Sequence, residues 1–135
     1  MFTASELIME IRDLARLFPD FNYTEQKGYN DDCSYLGAAI GNRTGMACIV
    51  GQALTRLGVT VEVLEKMEME PASDVVLKIT GKSDVSGDHT PEAYNLPRSL
   101  MWIDEVQGNQ DTGRPWEAAV SLADHYCELM DSMAR

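Results

Sequence analysis

The chain has 135 residues, of which 44% are hydrophobic and 24% charged. That length and balance predict a single domain over 1–135 and exclude collagen-like, disordered and membrane-spanning classes. Eleven Lys and Arg against 22 Asp and Glu give a net charge of -11, which argues against direct nucleic-acid binding and against a protein held on an anionic membrane.

The start, Met1-Phe2-Thr3-Ala4-Ser5-Glu6, lacks the basic and apolar regions of a leader peptide, so a cytoplasmic protein is expected. Cys33, Cys48 and Cys127 are odd in number and widely spaced, which speaks against a disulfide framework. Leu7, Ile8, Ile11, Leu14, Ala15 and Phe18 share one helical face, and Thr3 with Glu6 matches a capping box. A helix over 4–18 follows, ended by Pro19. Phe21-Asn22-Tyr23-Thr24 alternates apolar and polar, Cys33 to Leu36 does so more weakly, and Gly28 to Asp32 supplies turn chemistry. The pattern predicts a small antiparallel hairpin near 21–40.

Gly41-Asn42-Arg43-Thr44-Gly45 reads as a further turn, and Ala47 to Leu57 as a helix stopped by Gly58. Gly51 costs this helix about 1 kcal/mol relative to alanine, which close approach of another element would offset. Thr60 can cap a short helix through Met67, whereas 72–79 fits a short helix or a strand. The Gly- and Pro-bearing stretch 80–97 reads as a mobile surface loop. Leu100, Ile103, Val106 and Gln107 keep helical spacing, Asn109 to Gly113 break it, and Pro115 opens a last helix with Trp116, Ala119, Val120, Ala123, Tyr126 or Cys127, Met130 and Met133 in one stripe. These two form a C-terminal αα-hairpin. The expected fold is α+β and mostly helical: a β-hairpin packed on four or five helices, with the first and last helices supplying most of the core.

Four places could carry chemistry. Cys48 stands at a helix start, where a thiol can become a nucleophile, but a base is needed and His89 and His125 are the only histidines. The cysteines and histidines form no C-x-x-C or H-x-x-x-H pair, so neither metal nor cofactor is expected. Arg43 and Thr44, in the turn before the Cys48 helix, could hold an anion, although no Walker-type Lys follows. Gln107, Gln110 and Asp111 beside Trp102 and Trp116 could line a pocket or could simply cap and fill an inter-helix corner. Glu117, Asp124, Glu128 and Asp131 give the last helix an acidic face that could steer toward a basic partner.

The elements Cys33-x-Tyr35, Ala47-Cys48-Ile49-Val50-Gly51-Gln52-Ala53-Leu54, Leu57-Gly58 and Val106-Gln107-x-x-Gln110-Asp111-x-Gly113-x-Pro115-Trp116-x-x-Ala119-Val120 together resemble small uncharacterised proteins of actinobacterial phages and prophages. The resemblance covers most of the chain and implies a phage-borne accessory protein in a bacterial cytoplasm. It brings no catalytic residues. With no catalytic motif complete, the expected role is non-enzymatic binding of a host or phage protein through the acidic surface, and a homo-oligomer is compatible with it. The rival expectation is a small anionic-ligand or nucleotide binder, or a Cys-dependent enzyme, with its site at the start of the Cys48 helix.

Overall fold

The computed structural model describes residues 2–27, 35, 47–68, 70–80 and 97–133. Seven helices lie among them: α1 (Ala4–Leu17), α2 (Tyr23–Lys27), α3 (Ile49–Arg56), α4 (Val61–Lys66), α5 (Ala72–Thr80), α6 (Arg98–Asp111) and α7 (Trp116–Met133). No strand occurs among the described residues, so the α+β expectation is corrected to an all-helical arrangement there. The first arm of the expected hairpin is in fact the entry to α2. The remainder, 28–34 and 36–40, lies outside the described residues, as do Arg43, Thr44 and residues 81–96 of the expected loop.

The alternation at 21–24 has another cause. Asn22 Oδ1 accepts from the Glu25 N–H at 3.3 Å and from the Thr24 hydroxyl at 2.8 Å, which is helix-capping chemistry. Asn22 Nδ2 donates to the Gly113 carbonyl at 2.8 Å. Tyr23 turns into the core, and Phe21 meets the Trp116 ring at a centroid distance of 4.6 Å. The Pro19 and Phe21 carbonyls then accept from the first backbone N–H groups of α7, Glu117 and Trp116, both at 3.0 Å. This turn and the residues after it therefore satisfy the orphan donors of a distant helix rather than a neighbouring strand.

Local signals place most other elements. The Thr3–Glu6 capping box is formed in both directions. Gly58 adopts φ 94°, and the Val59 N–H reaches back to the Leu54 carbonyl, closing α3. Thr60 caps α4 through the Val63 N–H. Residues 72–80 resolve as helix α5, with Ala72, Val75, Val76 and Thr80 buried on one side. Asp104 of α6 accepts from the Ser73 N–H at 2.7 Å and caps α5 from outside.

The core is centred differently from the expectation. Ile49 through Leu54 of α3 are all buried, and a helix enclosed on every side belongs at the centre. Around it stand Leu7, Ile11 and Leu14 of α1, Leu100, Ile103 and Val106 of α6, and Trp116, Ala119, Ala123 and Cys127 of α7. α6 and α7 pack as the expected αα-hairpin. The Tyr35 backbone crosses α3 at Gly51, where a Cβ would sit 2.4 Å from the Tyr35 carbonyl oxygen. That close approach is what a glycine permits in mid-helix.

Candidate functional site

Two groups of polar side chains stand out, one sealed and one open. The sealed group joins α3, α6 and α7. Gln110 is fully buried, and its Oε1 accepts from the Ile49 N–H at 2.7 Å and from the Trp116 indole N–H at 3.1 Å. Its Nε2 donates to Asp111 Oδ1 at 3.0 Å, and Gln107 Nε2 approaches the same oxygen at 3.5 Å. Beside it, Cys48 is the N-cap of α3, its sulfur accepting from the Gly51 N–H at 3.4 Å. Gln52 ties down the Ala47 carbonyl at 2.8 Å.

The structure thus brings Cys48, Gln107, Gln110, Asp111 and Trp116 to one corner, joining two places that the sequence pattern had offered separately. Cys48, Gln110 and Trp116 are each 0% exposed. One glutamine oxygen holds the start of α3 and the start of α7 at once, so the corner fastens three helices. Buried donors need partners, and Gln110 supplies two with one acceptor. Cys48 is buried with its sulfur engaged by backbone, His125 is exposed on α7, and His89 lies outside the described residues. Cys127 is also buried, and burial raises its thiol pKa, which keeps it protonated. Among the described residues no group of three His, Cys, Asp or Glu could hold a metal ion.

The open group joins α1, α6 and α7. Asp124 accepts both arms of the Arg12 guanidinium, at 2.7 and 3.0 Å, and the Trp102 indole N–H at 2.8 Å. Arg12 also lies over the Trp102 ring, 4.7 Å from its centroid. Lower on the same seam, Arg98 Nε pairs with Asp131 at 2.9 Å. Two of the four residues of the expected acidic face are therefore ion-paired to neighbouring helices. Glu117 and Glu128 remain exposed. Arg12, Arg98 and Trp102 were not singled out from the sequence as partners of these acids. Arg12 and Asp124 are 112 positions apart, so no local spacing could reveal the pair.

The hydrogen bonds from Arg12, with a further one from Trp102, hold the Asp124 carboxyl below its usual pKa although partial burial opposes them. A carboxyl depressed in the folded state contributes stability above its unfolded pKa and loses it as pH falls through the folded value. Asp124→Asn is therefore expected to cost about 1 kcal/mol at neutral pH, solvent screening included. The difference from wild type should shrink as pH falls through and below the ordinary carboxylate range, because the paired carboxylate is then protonated. Urea denaturation at several pH values measures it, and a deficit independent of pH would contradict the assignment.

Two grooves border this seam. The larger, about 370 Å³, lies between α1 and the start of α7, with Arg12, Arg16, Pro19, Glu117 and Val120 among its lining. The smaller, about 230 Å³, lies between α1 and α6. No helix among the described residues is long and apolar enough to cross a membrane. No protein-family model, curated protein or solved structure matches the chain.

Proposed function

We propose that this protein is a non-enzymatic binding module that takes a basic amphipathic segment of a host or phage protein onto the solvent-facing side of α7. The observation that carries the reading is the composition of that side. Leu122, Leu129 and Met133 are 39%, 50% and 79% exposed and fall along one edge at helical spacing, with Tyr126 half-buried between them. Glu117 and Glu128 occupy the opposite edge, with Ser121, His125 and Ser132 between the two. An apolar edge beside an acidic one complements a helix with an apolar face and a basic flank. The net charge of -11 favours encounter with such a partner. A phage-type accessory role in a bacterial cytoplasm is the setting that the sequence resemblance supports.

The two edges can be tested separately. Pull-downs from host lysate are expected to retain a partner on the wild type and to lose about tenfold of its affinity with Leu129→Ser or with the pair Glu117→Lys and Glu128→Lys. None of these residues is in the core, so circular dichroism should be unchanged. If both variants recover every partner as the wild type does, α7 is not the docking face.

A further inference from the structure

The groove between α1 and α6 has the donors of an oxyanion site. Its lining is Ser5, Ile8 and Arg12 from α1 and Arg98, Ser99 and Trp102 from α6. Two arginines and two serines thus border one space of about 230 Å³ in a chain whose net charge is -11. Ion pairing leaves part of each fork unspent. A guanidinium has five N–H groups. Arg12 directs its two terminal nitrogens to Asp124, and Arg98 uses Nε for Asp131. The side chains of the two arginines remain 45% and 43% exposed.

The carboxylates hold these arginines from the α7 side, in the way that preorganised phosphate sites hold theirs. The Arg12 guanidinium is further fixed by lying over Trp102. Arg98 and Ser99 stand in the first turn of α6, which contains no acidic side chain to repel an anion. The apolar lining is Ile8 together with the small part of Trp102 that is not buried. A groove bordered by two arginines with N–H groups to spare, and by an apolar flank, suits an acceptor-only head group on a small apolar carrier. We propose that the α1–α6 groove binds a phosphate monoester, its phosphate between Arg12 and Arg98 and its carrier against Ile8 and Trp102. This site is separate from the exposed side of α7 proposed for partner binding.

The test titrates the full chain with inorganic phosphate and with phenyl phosphate at constant ionic strength, following tryptophan fluorescence and backbone amide shifts. Trp102 borders the groove, and Trp116 is sealed in the core. Saturable changes centred on Ile8, Ser99 and Trp102 are expected, with phenyl phosphate binding more tightly. Arg98→Gln should weaken binding by about tenfold, the worth of one charge-assisted hydrogen bond. Ser5→Glu provides a second variant. Ser5 is exposed in the first turn of α1, where an added carboxylate suits the helix but repels an anion in the groove. It should remain folded and lose binding, whereas Arg114→Gln, at an exposed arginine outside the groove lining, should bind as wild type. Changes that never saturate, that chloride reproduces, or that Ser5→Glu leaves intact would overturn the site.

Discussion

Replacing Gln110 with alanine is expected to destabilise the protein by about 3–5 kcal/mol, with the fold retained only if the wild type has that margin. Its side chain amide serves two buried donors and one acceptor: the Ile49 N–H, the Trp116 indole N–H and Asp111. Truncation leaves both donors without that acceptor in a region closed to water. Each stranded donor costs about 1–3 kcal/mol, and the lost side-chain volume adds to it. Chemical denaturation gives the total. A double-mutant cycle with Trp116→Phe isolates one bond, since phenylalanine has no N–H to strand. The coupling should be about 1 kcal/mol or more. A Gln110→Ala variant within 1 kcal/mol of wild type would mean that this corner does not hold the three helices together.

The second large effect contrasts two glycines in helix interiors. Gly51→Ala is expected to cost about 2 kcal/mol or more, although alanine is intrinsically the better helix former by about 1 kcal/mol. The added methyl would stand 2.4 Å from the Tyr35 carbonyl oxygen and 2.6 Å from its Cα, and both are backbone atoms that cannot rotate away. Tyr35 is itself anchored, its N–H on Glu68 and its hydroxyl on the Glu70 carbonyl. Gly108 of α6 has nothing within 4 Å of the equivalent position, so Gly108→Ala should stabilise by about 0.5–1 kcal/mol. Thermal and urea denaturation of the two variants should move in opposite directions. The same sign for both would show that helix propensity, not the crossing of Tyr35 over α3, governs Gly51.

These contrasts mark how far the residues alone could be read. Both glycines look identical as sequence: a single Gly inside a helical pattern. The candidate corner was legible as a set of names, because Gln107, Gln110, Asp111 and Trp116 lie close together in the chain. That Gln110 faces inward and reaches Ile49, 61 positions away, was not legible. The acidic face was read from the spacing of Glu117, Asp124, Glu128 and Asp131 on one helix. Only the packed structure divides it, because Arg12 and Arg98 reach two of the four and leave the other two to solvent.

The sequence alone placed α1, α3, α4 and α7 and the apolar side that each turns inward, but not α2 or α5. Thr3 with Glu6, Gly58, Thr60 and Pro115 act within a few residues of themselves, and hydrophobic periodicity acts within a few turns. Tertiary structure decided what each polar group does. The segment Phe21 to Thr24 has the alternation of a strand, yet the Phe21 carbonyl, with that of Pro19 before it, is taken by the start of α7, because unsatisfied helix N–H groups must find an acceptor. Choosing between a strand partner and a helix end depends on which elements meet in space. No stretch of chain short enough to be read locally contains that information.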